Sequence, residues 1–257
     1  MAYSATGSVA EMRFPSGAER RPLLGVLGGM GPAATLDFLA KLQGIANAVC
    51  DQDHCPVVTI SASGTPDRTA AILGEGESPL PAMQEAMAAL ERAGVSHVAI
   101  PCNTAHYWFD ALQAGTELRL IHIVEAAMEQ LALRFGGVAT VGLIATTGAV
   151  HSGVYHQRLE ADGRRVLMPP DQVAVMGVIE KIKAGRMTEA LPVLVQQVRA
   201  LREAGVEAII LGCTELPLCL PHLPVELQAL IVDATEALAR ASLRALAEAN
   251  AAFSSGR

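Results

Sequence analysis

One passage of this chain is written twice, and the two copies keep step. Leu80 to Thr104 reads LPAMQEAMAALERAGVSHVAIPCNT, and Leu191 to Glu215 reads LPVLVQQVRALREAGVEAIILGCTE. The offset is constant, since 205 − 94 and 213 − 102 both equal 111. Each copy opens on Leu-Pro, carries apolar residues at helical spacing, closes on Ala-Gly-Val and runs on into a short β-branched stretch. That pattern predicts a helix, a turn and a buried parallel strand, with Cys102 and Cys213 at the carboxyl ends of the two strands. Open α/β sheets bind ligands at that end. If the copies face each other about a pseudo-twofold axis, two thiols flank one cleft, as a two-base proton exchange at a carbon centre requires.

The flanking sequence extends the duplication. Arg21 to Gly31 reads as an aliphatic strand breaking into a glycine-rich turn, and Pro32 suits the first position of a helix. Ala33 to Ile45 carries Leu36, Leu39, Leu42 and Ile45 at helical spacing. Pro56 to Ser61 predicts a second strand, followed by the polar turn SGTPDRT. With a helix over Pro81 to Ala93 and a strand over Val95 to Ile100, the first half alternates strands and helices, which predicts a parallel sheet. In the second half Val138 to Ile144 is the first strand, and Val173 to Lys183 a helix after the turn MPPD. Ile121 to Phe135 is expected to cross between the halves, and Val232 to Phe253 to form a closing helix that packs back onto the first.

A chain of 257 residues has room for two modest domains. Its 51% hydrophobic and 18% charged residues supply ample buried cores, and only 4% aromatics makes those cores aliphatic. The longest run without Asp, Glu, Lys, Arg or His, Phe135 to Val150, is shorter and richer in Gly and Thr than the ~20 apolar residues of a membrane helix. Residues 1–20 read as a disordered leader rather than a signal peptide, with Glu11 and Arg13 inside a small-residue stretch. Five cysteines, an odd number without framework spacing, point to reduced thiols and a cytoplasmic protein. A net charge of −7 without a Lys/Arg run argues against nucleic acid or an anionic membrane as partner. Cys50, His54 and Cys55 lack finger-like spacing and a fourth ligand, so no metal site is expected.

A lone cysteine is most often a packing residue. Here both copies keep it, and both follow it with small hydrogen-bonding residues, Asn103 and Thr104 in one and Thr214 in the other. Hydroxyl and amide groups beside helix-start N–H groups suit a carboxylate. Such a helix start also lowers a thiol pKa from ~8.5 toward neutrality. Arg68 follows the second strand's carboxyl end, on the rim of Cys102, whereas Lys183 ends a helix, where a cation is favoured without any ligand. His106, four residues beyond Cys102, is either an activator of the thiol or a satisfied core histidine. Gly29, Gly31 and Ala34, with Asp51 and Asp53 further on, also fit a loose dinucleotide-binding pattern, which keeps a nicotinamide oxidoreductase in view. The second half does not repeat that pattern.

On these residues the chain resembles the aspartate/glutamate racemase family, and within it the cofactor-independent aspartate racemases. The likeness spans Leu23 to Ala239 through GVLGGMGP, TPDRT, PCNTAH, GLIATTG with a following SGVY, IEKIKAG and LGCTELPL. It implies two flavodoxin-like, doubly wound parallel-sheet domains related by a pseudo-twofold axis, with the active site in the cleft between them. The first domain would span 21–120 with the returning helix of 230–257, and the second 121–229. It implies Cys102 and Cys213 as the catalytic pair. Met30 would meet the substrate beside the glycine turn, Asn103, Thr104 and Thr214 would hold its α-carboxylate, Thr146 would contact it from the opposing loop, and Arg68 and Lys183 would clamp the side-chain carboxylate. The implied reaction is racemisation of an acidic amino acid, aspartate first and glutamate second, by a homodimer that needs no cofactor. Ala149 departs from relatives that often carry Thr there, and the first twenty residues have no counterpart. A maleate isomerase, an arylmalonate-decarboxylase-like enzyme and a non-catalytic binder of acidic amino acids remain the alternatives.

Overall fold

A computed structural model describes residues 22–255; the expected leader, 1–20, lies outside the described residues. The first half runs β1 (Leu24–Gly28), α1 (Pro32–Ile45), β2 (Val57–Ser61), α2 (Arg68–Ile72), α3 (Leu80–Arg92), β3 (His97–Ala99), α4 (Phe109–Ala114) and β4 (Arg119–Ile121). The second begins with α5 (Ile123–Phe135), β5 (Thr140–Ala145), α6 (Thr147–His151), α7 (His156–Ala161) and β6 (Arg165–Leu167). It continues through α8 (Gln172–Lys183), α9 (Met187–Glu203), β7 (Ala208–Gly212), α10 (Val225–Gln228) and β8 (Ile231–Asp233) to α11 (Ala234–Ser255).

The strands form two four-stranded parallel sheets of the same order, β2-β1-β3-β4 and β6-β5-β7-β8. In each, the chain winds one way from the first strand and then the other, so a topological switch point lies between β1 and β3 and again between β5 and β7. Ligand crevices open at the carboxyl side of such points.

Strand periodicity divides the core into three layers. Leu24, Val26 and Ala99 of the first sheet, with Val141, Leu143, Ala208 and Ile210 of the second, enter one shared apolar cluster that includes α1, α5 and α11. The intervening residues face outward: Leu27 and Val98 pack with α3, whereas Ile144, Ile209 and Leu211 pack with α8 and α9. Strands covered on both faces read as continuous aliphatic runs, as these do. Aliphatic side chains dominate each layer, in keeping with the composition.

The repeat survives in three dimensions. Helices α3 and α9 end alike: Gly94 and Gly205 adopt positive φ of 78° and 84°, and Val95 and Val206 donate their N–H groups back to Leu90 and Leu201. A residue just past a helix end in this left-handed conformation is usually glycine. The same pairs press on the adjacent strands, because a Cβ on Gly25 would lie 3.0 Å from Val95 and one on Gly142 3.0 Å from Leu201.

Three expectations need correcting. Helix α9 begins at Met187, four residues before the repeated Leu-Pro, leaving Pro192 inside the helix. Met187 to Ala190 are helix-compatible, whereas the matching stretch before α3 contains Gly76 and Pro79. On α1 Leu42 is buried and Leu39 and Ile45 pack against the shared cluster, but Leu36 is 68% exposed, and Ala34, Thr35 and Phe38 complete the buried face. The closing helix starts only at Ala234, because Ile231–Asp233 pairs with β7 as a strand. Asp233 makes the change: its Oδ1 accepts from the N–H groups of Thr235 (2.8 Å) and Glu236 (3.1 Å), and its Oδ2 lies 2.7 Å from Lys41 Nζ on α1. Helix α11 then lies against α1 and α5.

A Cβ at Gly94 or Gly205 would meet no atom within 4 Å. Alanine there thus carries only the cost of left-handed backbone, about 1–2 kcal/mol. Gly94→Ala and Gly205→Ala are each expected to lower stability by that amount, and by similar amounts at the two sites, in chemical denaturation.

Candidate active site

The strand ends at the two switch points converge. Pro101 offers no N–H to continue the ladder, so β3 stops at Ala99, and a tight turn in which Cys102 N donates to Ile100 O (2.8 Å) presents Cys102. Cys213 directly follows Gly212, the last residue of β7. Both thiols line one cavity between the halves, with an empty volume of about 300 Å³ including its open mouth. The first half contributes Met30, Asp67, Arg68, Thr69, Cys102, Asn103 and Thr104, and the second Thr146, Lys183, Cys213, Thr214 and Glu215. All nine residues singled out in the sequence therefore lie on its wall, joined by Asp67, Thr69 and Glu215.

The thiols are buried, and their surroundings differ. Burial pushes the Cys102 pKa up; against it act the Arg68 guanidinium, the Ala105 N–H and Lys183, while the Glu215 carboxylate adds to the rise. The Cys213 pKa is raised further, by burial and then by Glu215, whose carboxylate Oε2 accepts from the thiol at 3.1 Å. The Glu215 N–H and Lys183 act in the opposite direction. Each sulfur thus receives a backbone N–H from the turn that follows it, but only Cys213 has a carboxylate as immediate partner. The other Glu215 oxygen, Oε1, accepts from Gly31 N at 3.2 Å, tying the second half to the glycine turn of the first.

Three more hydrogen bonds cross the cleft. Thr104 and Thr146 share a hydroxyl contact of 2.8 Å, Thr214 Oγ1 donates to Pro101 O at 3.1 Å, and the Tyr155 hydroxyl donates to Asn103 Oδ1 at 2.5 Å. Asn103 is 2% exposed, and its Nδ2 has no partner. Arg68 Nη1 donates to the carbonyls of Thr65 (3.1 Å) and Pro66 (2.9 Å), while its buried Nε has no partner. Among the described residues neither Arg68 nor Lys183 makes an ion pair, which leaves two cations at the rim of the cavity.

His106 serves the backbone of Cys102 rather than its thiol. Ile123 N donates to Nε2 at 3.1 Å, so Nδ1 carries the proton and donates to the Cys102 carbonyl at 2.8 Å. The ring lies in a 3-10 turn, Thr104–Trp108, with His122 4.8 Å away. Burial and then His122 lower its pKa to about 3; burial and Arg158 lower that of His122 to about 4. The glycine turn is also filled from within, since Gly29 N donates to Thr35 Oγ1 (2.9 Å) and Gly31 N to the Glu215 carboxylate. A dinucleotide phosphate would have to displace that carboxylate. Among the described residues no cluster of His, Cys, Asp and Glu is arranged to hold a metal, and no helix is long and apolar enough to cross a membrane.

The profile of the Asp/Glu/hydantoin racemases matches residues 27–242. The chain belongs to this family. It is 26% identical over 229 residues to the broad-specificity amino-acid racemase RacX of Bacillus subtilis, covering 86% of this chain and 96% of that one. Over 139 residues it is 34% identical to a glutamate racemase of Deinococcus radiodurans, covering 51% of this chain and 46% of the other. In structure it resembles the Picrophilus torridus aspartate racemase, with a TM-score of 0.78 and 29% identity over 88% of this chain and 94% of the other. For this racemase-family chain, then, both the two-sheet architecture and its relatives agree with the resemblance read from the motifs.

Sequence reasoning assigned no role to Glu215 or Tyr155. Glu215 had a signal, for it is where the repeat departs from itself: 215 − 111 gives Thr104, a carboxylate facing a hydroxyl. Tyr155, in the SGVY stretch, had none beyond its motif.

Buried His106 and half-buried His122 set a pH dependence. Their folded pKa values lie below the unfolded value of 6.5, so the unfolded chain takes up protons first, and stability present above pH 6.5 is lost as pH falls toward 4. The slope approaches about 1.4 kcal/mol per pH unit for each histidine. Unfolding midpoints measured from pH 7.5 to 4.5 are expected to fall steeply, and His106→Gln to flatten that fall.

Proposed function

We propose that this protein inverts the α-carbon of an acidic amino acid, aspartate first and glutamate second, by two-base proton transfer between Cys102 and Cys213. The observation that carries the reading is the shared cavity: thiols at the ends of equivalent strands, with two cations at its rim that make no ion pair among the described residues. One cysteine, as thiolate, takes the Cα proton and becomes a thiol. The other thiol gives its proton to the opposite face and becomes a thiolate, so the proton count closes and the roles swap for the reverse direction. No redox partner or cofactor enters this balance.

The electron pair left on Cα must spread into the α-carboxylate. The unpartnered Asn103 amide, the hydroxyls of Thr104 and Thr214 and adjoining backbone N–H groups supply donors for that charge. Burial opposes a resting thiolate, and the opposing forces are the N–H groups of Ala105 and Glu215 with Arg68 and Lys183. A bound amino acid adds its own ammonium beside the sulfur atoms, which favours the charged form further. Arg68 and Lys183 are also what an acidic side chain would seek, and they distinguish aspartate or glutamate within the range suggested by a broad-specificity relative.

A chiral assay of the purified chain, run without added cofactor over a panel of amino acids, tests the class directly. Cys102→Ser and Cys213→Ser are each expected to lower inversion by about 10²–10⁴-fold. Undiminished racemisation in either variant ends the two-thiol reading. In heavy water the wild type is expected to wash deuterium into Cα of aspartate, whereas a mere binder exchanges nothing. Arg68→Ala is expected to raise KM for aspartate about 10–100-fold, the worth of a charged hydrogen bond, while leaving KM for alanine unchanged.

A further inference from the structure

We infer that Tyr155 is a positioning residue whose hydroxyl holds the Asn103 side-chain amide with Nδ2 turned to the cavity, a fixed donor for the α-carboxylate of a bound amino acid. The inference rests on the amino-acid substrate proposed above, and it concerns a residue outside the cavity wall. Tyr155 precedes α7 in the second half; its ring is fully buried in the shared apolar layer, and its hydroxyl reaches across to the first half.

An amide has a donor end and an acceptor end, and which one faces a ligand is decided by what holds the other. The phenol proton on Oδ1 answers that question here: it consigns the carbonyl end to Tyr155 and leaves Nδ2 for the cavity. In the reverse orientation the phenol proton would meet the amide NH₂, which cannot accept it. Burial, followed by Asp233 and Cys213, pushes the phenol pKa up, so the hydroxyl keeps its proton.

The ring itself is fixed by the strand that carries the second thiol. A Cβ on Gly212 would approach Tyr155 Cε2 to 3.2 Å, so the bare backbone just before Cys213 makes room for the ring. Nδ2 is then a buried donor without a partner, on the wall of a cavity. Such a donor is unfavourable until an acceptor arrives. Because Asn103 adjoins Cys102, an oxygen bound there belongs to a group close to the carbon that Cys102 reaches, which is the α-carboxylate rather than the distal one.

The test compares L-aspartate with β-alanine, which is aspartate without its α-carboxylate, by calorimetric titration of the full chain. Tyr155→Phe keeps the ring and removes the hydroxyl. It is expected to weaken L-aspartate about tenfold and to leave β-alanine unchanged. Asn103→Ala is expected to weaken L-aspartate likewise, and adding Tyr155→Phe to it to cost nothing more. Equal weakening of both ligands, full additivity in the double variant or unaltered aspartate binding in Tyr155→Phe overturns the positioning role. A wild type that binds L-aspartate but neither inverts it nor exchanges its Cα hydrogen overturns the racemase reading alone, since the binding comparison still decides the role of Tyr155. A wild type that binds none of aspartate, glutamate and alanine overturns both.

Discussion

The apolar layer shared by the two sheets is the constraint from which the site follows. Alternate residues of β1, β3, β5 and β7 enter it from both sides, and α1, α5 and α11 fill it. Helix α11 touches strands of both sheets, so the inner faces of the two are covered by shared helices. Removing that much aliphatic surface from water is the dominant favourable term in a fold of this kind, and it joins the halves into one packed body. With the sheets so joined, strand ends separated by 111 residues open onto one cavity.

Within that cavity the energetics run against the chemistry of a thiolate. Burial disfavours charge on either sulfur, and Glu215 disfavours it further. What offsets this is local and directional: one backbone N–H aimed at each sulfur, and the cations Arg68 and Lys183, which make no ion pair among the described residues. The cleft floor is meanwhile stitched by hydroxyl, amide and carboxylate contacts between the halves, so polar groups taken out of water keep partners. The Asn103 amide nitrogen and Arg68 Nε are exceptions among the described residues, and both side chains belong to residues that line the cavity.

Much of this was legible in the sequence because duplication doubles every weak signal. The helix ends at Gly94 and Gly205, the long central strands and the placement of both cysteines all follow from local pattern. The three-residue edge strands β4, β6 and β8 did not stand out, since they are shorter than the roughly four residues over which alternation becomes a signal. On α1 only Leu36 fell off the packed face, because the helix is apolar on more than one side and Phe38 enters the shared cluster in its stead. Tyr155 acts through Asn103, 52 residues away, and Glu215 joins neighbouring Cys213 to Gly31, 184 residues away, so no local window contains either arrangement.

The place where the repeat breaks, hydroxyl at Thr104 and carboxylate at Glu215, makes the two flanks of the cavity chemically inequivalent. Mirror-image substrates nonetheless have equal free energy in water, so their equilibrium constant is unity whatever the catalyst. For the proposed reaction, any advantage this lopsided pocket gives one enantiomer in turnover must be returned as weaker apparent affinity for it. The two specificity constants are then bound to coincide while kcat and KM drift apart, and an asymmetric protein would still deliver a racemate.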